Sequence, residues 1–413
     1  MRAIARRSRA RDSENRDALK PLLVSLLTRP PHPSRDGLAI RNHALLSALV
    51  REFRVRAFTL SDPERAYDGE WPAGVEAEIV RQSPRRVRRP VAALSSLLAG
   101  GAYSERLYRS SSLARRLAEV VAGEPPSWIV AHSYHLAPAA LRTGGPVWVD
   151  FHNLDSEIWR RTAETAGSAP VRWFARVQEG RVLSLEGTAA RAAKGLSCVS
   201  ERDAHALRAF GIRVGPLLVP NGVDLVRHAF RREAPRGETV LFIGDLSWPP
   251  NADGVRWLLS SVWPRVRSRR PGARLAIVGR SAPADLLRES GPDVVFAGEG
   301  GDARAYWLDA AVAAVPLLSG GGTRLKILEA AATGVPVVST RVGAEGLDFP
   351  DESEILRRDD SDSFADAVVS LLADRVAAGR QAAAARARVE AQYGWGPIGE
   401  AFARALANGP GTR

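Results

Sequence analysis

The sequence has little cysteine, little lysine and no long apolar run, and each scarcity excludes a class of protein. A single cysteine, Cys198, excludes an intramolecular disulfide and a cysteine-based zinc site. No apolar run approaches the ~18 residues that a membrane-spanning helix needs. The arginine-rich start meets Asp12, Glu14 and Asp17 before any apolar run, which is unlike a signal peptide. We therefore expect a soluble, cytoplasmic protein in which Cys198 is a small buried residue.

Lysine is scarce although the chain is basic. The formal charge is +12, from 58 basic and 46 acidic residues, and only Lys20, Lys194 and Lys326 are lysines, which leaves 55 arginines. An excess of arginine over lysine of this size is typical of a genome-wide coding bias, since a solvated surface does not require arginine in place of lysine. No zinc finger, helix-turn-helix or RNA-binding aromatic motif accompanies the arginines, so we predict no sequence-specific nucleic-acid binding. The arginines within 81–89, followed by apolar residues 91–98, fit either peripheral contact with an anionic membrane or a solvated basic loop.

The length of 413 residues suits two or three domains. Residues 1–19 are polar, basic and aperiodic, and we predict a disordered arm there. Beyond them, short apolar runs alternate with amphipathic stretches up to a Pro-Asn-Gly turn at 220–222, and a second series of the same kind follows. The predicted strands are 22–27, 55–60, 128–131, 147–151 and 195–199, then 239–243, 274–278, 294–297, 312–317 and 336–339.

Continuous apolar strands separated by helices indicate parallel sheets covered on both faces. We therefore predict an α/β fold of two doubly wound, Rossmann-like domains, 20–220 and 221–391. Ligands of such sheets bind beyond the carboxyl ends of the strands, so the loops after the strands are where a site is expected.

The most informative stretch is 316–338, PLLSGGGTRLKILEAAATGVPVV, which predicts a strand, a glycine loop, a helix over 323–332 and another strand. Glycines allow a ligand close to the backbone, and free N–H groups at a helix start favour an anion. At about 100° per residue, Gly322, Lys326 and Glu329 lie within about a 60° arc. The ammonium suits a phosphate and the carboxylate suits ribose hydroxyls. By itself, the stretch fits an ordinary turn followed by an i,i+3 surface ion pair better, but one of only three lysines falls here, which favours a site.

Several motifs, in order, resemble those of the retaining glycosyltransferases of family 4, which have the GT-B architecture of two facing Rossmann-like domains. The resemblance extends from Pro21 to Leu406, and it implies that the last helix, in 392–413, crosses back to the first domain. No single motif is specific for the family, but the order and the spacing of the motifs together are. Besides 316–338, they are the glycine loop 30–37 with Arg41 after it, DFHNLD at 150–155, CVSE at 198–201, VPNGVD at 219–224, FIGD at 242–245, IVG at 277–279 and VFAG at 295–298.

The resemblance implies roles for individual residues. His152 would lie beside the transferred sugar. We add Lys326 and Arg324, at the leaving diphosphate, as the other catalytic residues. The acceptor side would include Arg41, Asn153 and Asp155. The donor would contact Gly37, Gly244, Gly279, Arg280, Phe296, Gly321, Gly322, Thr323 and Glu329. Without the resemblance, His152 is better explained as a buried, hydrogen-bonded histidine. No carboxylate or third ligand is evident near His132 and His135.

The sequence departs from the family pattern at the donor site. The family has two glutamates separated by seven residues, of which the first contacts the donor sugar, and Gly321 stands at that first position. The family also often has a basic pair after the first strand of the second domain, but 244–254 contains no basic residue. We therefore assign the diphosphate to Arg324 and Lys326, with Arg280 in support.

The hypothesis is a retaining glycosyltransferase that moves a sugar from a nucleotide diphosphate sugar, such as a UDP-sugar, to an acceptor hydroxyl of a glycan, a lipid-linked molecule or a natural product. The alternatives are a GT-B nucleotide-sugar epimerase and a non-catalytic sugar-nucleotide-binding module. No acidic or histidine cluster with ligand spacing stands out, so we expect no metal and no cofactor other than the donor. The base, the sugar, the linkage and the oligomeric state stay open.

Overall fold

The computed structural model describes residues 20–32, 36–61, 70–231, 233, 235, 237–298, 303–320 and 324–409. The chain forms two compact units, Met1–Pro220 with Gly396–Arg413, and Asn221–Trp395. The predicted disordered arm, 1–19, and three predicted donor residues, 321–323, lie outside the described residues.

The first unit is built on a sheet of seven parallel strands in the order β3-β2-β1-β4-β5-β6-β7. Strands β1, β4, β5 and β6 are buried along their whole length, as is typical of a parallel sheet covered on both faces. The strands are β1 Leu22–Leu27, β2 Arg54–Ser61, β3 Val75–Arg81, β4 Trp128–Ala131, β5 Val147–Phe151, β6 Gly195–Cys198 and β7 Leu217–Leu218.

Eight α-helices accompany this sheet between residues 37 and 208 of the described chain. They are α1 Gly37–Glu52, α2 Arg85–Ala99, α3 Tyr103–Tyr108, α4 Ser111–Gly123, α5 Ala137–Leu141, α6 Asp155–Thr165, α7 Ala169–Ala192 and α8 Glu201–Arg208. The arginines from 85 to 89 and the apolar stretch after them thus lie in a helix, α2, and not in a loop, whereas Arg81 ends β3. Burial raises the pKa of the Cys198 thiol to about 12, which agrees with a cysteine that is not a nucleophile.

The second unit contains six parallel strands in the order β10-β9-β8-β11-β12-β13. Counted within the unit, this is the Rossmann order 3-2-1-4-5-6, which the first unit also follows before it adds a seventh strand. The predicted fold class, two doubly wound parallel sheets, is confirmed. The strands are β8 Thr239–Ile243, β9 Arg274–Val278, β10 Val294–Ala297, β11 Val312–Val315, β12 Val337–Ser339 and β13 Leu356–Arg357.

The helices that follow β8 complete the described chain. A wide helical turn, Leu258–Val262, joins the first two of them. They are α9 Pro249–Trp257, α10 Trp263–Arg269, α11 Ala284–Leu287, α12 Ala303–Asp309, α13 Leu325–Thr333, α14 Ser361–Ala373, α15 Arg375–Gln392 and α16 Trp395–Asn408. In the first unit, Trp128 Nε1 donates to Leu406 O at 2.7 Å, so α16 packs beside β4. Of the helices in the described part of the chain, none combines the length and the apolar composition of a membrane span.

A buried ion pair ties α1 to the carboxyl end of β5. Arg41 Nε lies 3.0 Å from Asp150 Oδ2 and Arg41 Nη2 lies 2.8 Å from Asp150 Oδ1, with the two side chains 1% and 0% exposed. Arg41 Nη1 also donates to Pro220 O at 3.2 Å. A bidentate pair of this kind satisfies both charges in a place that water does not reach.

Arg41→Met should lower the free energy of unfolding by about 3–5 kcal/mol, because it leaves the Asp150 carboxylate buried without its counter-charge. Arg51→Met, on the same helix, is the matched control. Arg51 pairs with Glu400 at 2.6 Å, but both side chains are more than half exposed (61% and 51%), so its loss should cost under about 1 kcal/mol. Urea titration of both variants measures this, and equal losses would contradict the assignment.

Candidate active site

His152 follows β5 and is oriented by the carboxylate of Asp150. His152 Nε2 lies 2.9 Å from Asp150 Oδ2, and Ser197 Oγ donates to Asp150 Oδ1 at 2.7 Å. Burial opposes ionisation of Asp150, but the charge of Arg41 and the contact with His152 outweigh it and hold the pKa of the carboxyl well below its usual range. Asp150 is therefore ionised at neutral pH and can only accept hydrogen bonds.

That carboxylate determines which nitrogen of His152 carries the proton. Nε2 has to donate, so the neutral ring keeps its lone pair on Nδ1. Burial lowers the pKa of His152, although Asp150 acts in the opposite direction, so the ring is neutral near pH 7. The His152 side chain is 13% exposed, whereas Asp150 is fully buried. His152 thus offers a neutral acceptor nitrogen, which suits a hydroxyl group.

The other predicted residues of the first unit have structural contacts. Arg41, which the resemblance places on the acceptor side, is 1% exposed and acts on His152 through Asp150. Gly37 is the first residue of α1, and Asp36 caps that helix. The neighbouring glycine-loop residues 33–35 lie outside the described residues. Asn153 is half-buried in the turn between β5 and α6.

The expectation that His132 and His135 have no carboxylate nearby is wrong. His132 Nδ1 lies 3.9 Å from Asp150 Oδ2, and His135 Nε2 lies 3.2 Å from Asp155 Oδ2. Asp155 Oδ2 also accepts from the Tyr134 hydroxyl at 2.9 Å. The histidines follow β4 and the carboxylates come from β5 and the start of α6. Adjacent parallel strands bring the two sets together, and spacing along the chain does not show it.

His132, Asp150 and His152 bring three ligand atoms within 4.8 Å of one another, which raises the question of a metal ion. The carboxylate does not fit that role, because its two oxygens already accept from Arg41, Ser197 and His152. The Arg41 guanidinium, bonded to both oxygens, also repels a cation. Burial lowers the pKa of His132 to about 3, so this ring is neutral. The cluster is best described as a hydrogen-bonded support for His152.

In the second unit, the central feature is the buried ammonium of Lys326 in the first turn of α13. Lys326 Nζ donates to Asn251 Oδ1 at 3.0 Å and lies 4.1 Å from the centroid of the Phe242 ring. Burial, together with the nearby charge of Arg324, lowers the pKa of Lys326 to about 7, although the Glu329 carboxylate acts in the opposite direction. The ordinary surface ion pair that the sequence also allowed is wrong, since Lys326 is half-buried and its ammonium donates to a neutral amide.

Two predicted donor glycines allow the ends of β8 and β9 to meet beneath this ammonium. A Cβ atom on Gly279 would lie 1.9 Å from Gly244 O, and one on Gly244 would lie 2.8 Å from Lys326 Nζ. Gly244 N donates to Val278 O at 2.9 Å. Any larger residue at either position would separate the strand ends or displace Lys326.

Two arginines lie near the same strand ends. Arg324 precedes α13 in an extended conformation (φ −88°, ψ 93°), so the helix begins two residues later than predicted. Its guanidinium carbon lies 5.3 Å from the centroid of the Trp248 ring, and the residue is 5% exposed. Arg280 follows β9, and its Nε donates to Asp245 Oδ2 at 2.7 Å. Arg280 therefore shares its charge with a carboxylate, whereas Lys326 is bonded to an amide.

Glu329 lies one turn after Lys326 on α13. Its Oε2 accepts from Trp307 Nε1 at 3.3 Å, and Trp307 is 1% exposed. Phe296 is half-buried on β10 and packs against the core of the second unit. Sequence reasoning missed Asn251 and Trp307. Asn251 is the polar residue of Pro-Pro-Asn within 244–254, the segment searched for cations, while nothing in the pattern distinguishes Trp307 from a core residue.

Two family models match the chain, one over each sheet. The model described as "Glycosyl transferase 4-like domain" matches residues 36–222, and the model "Glycosyl transferases group 1" matches residues 237–374.

Curated relatives match over part of their length. A GDP-mannose-dependent monoacylated alpha-(1-6)-phosphatidylinositol monomannoside mannosyltransferase of Corynebacterium glutamicum is 32% identical over 165 residues, 37% of this chain and 43% of that protein. A glycogen synthase of Mycobacterium tuberculosis is 27% identical over 249 residues, 56% of this chain and 58% of that protein. The chain thus spans well under two thirds of the length of the curated relatives it matches.

Solved structures match over nearly the whole chain. Sucrose-phosphate synthase from Thermosynechococcus elongatus has a TM-score of 0.69 at 20% identity, covering 93% of this chain and 98% of that one. HepE of Anabaena, solved with UDP and glucose, has a TM-score of 0.67 at 14% identity, covering 94% and 99%. At such identities the likeness shows the fold alone. The two family models together take in both sheets, and the chain therefore belongs to the group 1 and 4-like glycosyltransferases, with the GT-B fold.

Proposed function

We propose that this protein transfers a sugar from a nucleotide diphosphate sugar to an acceptor hydroxyl, with retention of the anomeric configuration. The observation that carries the proposal is the Lys326 ammonium, buried at the point where the strand order of the second sheet reverses. Ligands of such sheets bind at that point. A buried ammonium whose close partners are an amide and an aromatic ring is costly. A diphosphate supplies the missing negative charge.

The reaction develops charge on the departing nucleotide diphosphate. The bond from the anomeric carbon to the diphosphate oxygen breaks with its electron pair on the oxygen. The acceptor oxygen bonds to the same face of the carbon, and its proton passes to the departing phosphate. In this proposal Lys326 and Arg324 stabilise the charge, with Arg280 in support, as fixed electrostatic groups that need no rearrangement during the reaction.

Glu329 is proposed to bind the ribose. Its carboxylate can accept hydrogen bonds from two neighbouring hydroxyls, and the bond from Trp307 Nε1 orients it. We propose that Gly244 and Gly279, which carry no side chain, let the diphosphate approach the backbone beside Lys326. Residues 321–323, which lie outside the described residues, retain the donor role that the resemblance implies, and so does Phe296.

The first unit contributes an acceptor of hydrogen bonds. His152 Nδ1 is proposed to bind a hydroxyl of the sugar that is transferred, because Asp150 fixes the proton on Nε2. Asn153, in the turn that follows His152, and Asp155, the first residue of α6, are proposed to face the acceptor. We propose that the acceptor is a glycan, a lipid-linked molecule or a natural product, and that the enzyme belongs to polysaccharide biosynthesis.

We propose that the reaction needs no metal ion, since Lys326 and Arg324 provide the positive charge that a metal supplies in other transferases. The screen that tests the function offers UDP-, GDP- and dTDP-sugars with and without hydroxyl acceptors, and it measures nucleotide release and the anomeric configuration of the product. We expect acceptor-dependent release, a retained configuration and the same rate after dialysis against EDTA.

The other outcomes of this screen separate the alternatives. Epimer formation or nucleotide release without any acceptor would favour the epimerase. Donor binding without turnover would favour the binding module. A rate lost to EDTA and restored by magnesium or manganese would contradict the metal-free reaction.

Lys326→Ala should lower kcat by about 10²–10³, the range seen when one donor to a developing oxyanion is removed. The loss should fall on kcat more than on KM, because the contact strengthens as charge develops on the leaving group. Lys194→Ala, at an exposed lysine of the first unit, is the control and should leave both constants unchanged. A near-normal kcat in Lys326→Ala would assign the compensating charge to Arg280 instead.

A further inference from the structure

Asn251 is a buried amide whose oxygen and nitrogen have different partners. It lies in the first turn of α9 and is 5% exposed. Its Oδ1 accepts from Lys326 Nζ at 3.0 Å, and its Nδ2 donates to Asp245 O at 2.8 Å. A reversed amide would set N–H groups against the ammonium and an oxygen against a carbonyl oxygen. The two contacts therefore agree on one orientation, with the amide oxygen toward Lys326.

The start of α9 and one close contact of this helix fix the place of Asn251. Pro249 and Pro250 begin α9, where proline fits the backbone of a helix start. Further along the helix, a Cβ atom on Gly254 would lie 2.6 Å from Pro316 O. Only a glycine lets α9 approach the chain after β11 so closely. The position of the amide beside Lys326 is thus set by helix packing.

The partner of the Lys326 ammonium is an amide although several charged groups lie near it. Arg324 precedes α13 and Glu329 lies one turn after Lys326, and these two act on the ammonium through their charges. Asp245, after β8, pairs with Arg280 at 2.7 Å. An amide oxygen accepts a hydrogen bond from an ammonium without cancelling its charge. A carboxylate in the same place would form an ion pair with the ammonium and would repel an anionic ligand.

We propose that Asn251 is a positioning residue, which holds the Lys326 ammonium at the donor site and leaves its charge to the diphosphate. The inference rests on the proposed function, since it assigns Asn251 a part in donor binding. Asn251 acts through Lys326 and takes no part in bond breaking. Because an oxygen accepts a stronger hydrogen bond from an ammonium than from a neutral amine, Asn251 also opposes the effect of burial, which lowers the pKa of Lys326.

The scarcity of lysine makes the charge of Lys326 directly measurable on the whole protein. In NMR, isotope-labelled lysine gives side-chain signals from three residues, Lys20, Lys194 and Lys326, and the Lys326→Met variant identifies the last. The shift of the Cε signal with pH reports protonation and needs no donor. In the wild type, we expect Lys326 to titrate with a pKa of about 7.

Two substitutions of Asn251 should move this titration in opposite directions. In Asn251→Asp the new carboxylate favours the ammonium, so the pKa of Lys326 should rise by about 1–3 pH units. In Asn251→Leu, where the side chain keeps a similar size, the hydrogen bond to the ammonium is lost and the pKa should fall by about one pH unit. A merely structural role of Asn251 does not produce this fall, because loosening of the site would expose Lys326 and raise its pKa in both variants.

Asp253→Asn is the matched control, since it changes the charge of the same helix at a side chain that is 54% exposed. It should leave the titration of Lys326 unchanged, because water and salt screen an exposed charge. Thermal unfolding and unchanged signals from Lys20 and Lys194 confirm that each variant is folded.

Calorimetry with UDP-, GDP- and dTDP-glucose connects this titration to the donor. For whichever of them the wild type binds, Asn251→Asp should bind at least about tenfold more weakly at pH 6, because its carboxylate repels the diphosphate. Asp253→Asn should bind like the wild type.

The outcomes separate this role from the transferase reaction. An unchanged titration of Lys326 in both Asn251 variants, or two shifts of the same sign, would overturn the positioning role whether or not a donor binds. Opposite shifts without a loss of donor affinity in Asn251→Asp would overturn it as well, since the ammonium would not then serve the donor. Opposite shifts in a protein that binds and turns over no nucleotide diphosphate sugar would contradict the proposed function instead, with Asn251 still assigned to Lys326.

Discussion

The bidentate ion pair between Arg41 and Asp150 is the contact on which the candidate site of the first unit depends. Because Arg41 keeps Asp150 ionised inside the fold, the carboxylate joins a helix to two strands and fixes the proton on His152. The second unit uses a buried charge in the opposite way. Lys326 is held by an amide and a ring, so its charge is left for a ligand. The buried Asp150 carboxylate therefore stabilises the fold, and the Lys326 ammonium is available to a ligand.

Most of the fold could be predicted because buried parallel strands are continuous apolar runs. All ten predicted strands form, with ends that differ from the prediction by at most two residues. The strands that were missed lack that signal. β3 (VEAEIVR) is mostly exposed and mixes charged with apolar residues, and β7 and β13 have only two residues each. Such edge strands form because a neighbour offers hydrogen bonds, and a local pattern does not show this.

The chemistry of the candidate site was less predictable than its place. The loops after the strands were the right region, and Lys326 was singled out there, but its partner Asn251 comes from a helix 75 residues earlier in the chain. The same holds for the carboxylates beside His132 and His135. Pairs of this kind depend on which strands are neighbours, and that order is not written in the spacing of the residues. On an ideal helix Arg324 would lie about 160° around the axis from Lys326, yet the helix begins only after Arg324.

The central claim is that the Lys326 ammonium is the counter-charge of the donor diphosphate, and the pH dependence of donor binding tests it most directly. Burial lowers the pKa of Lys326 to about 7, and a bound diphosphate should raise it again. The diphosphate of a nucleotide sugar does not itself titrate near neutral pH. Calorimetry should therefore show donor affinity falling by about tenfold per pH unit above about pH 7, because binding then takes up one proton. In Lys326→Met the affinity should be independent of pH. The same slope in Lys326→Met as in the wild type, or none in the wild type, would contradict the account.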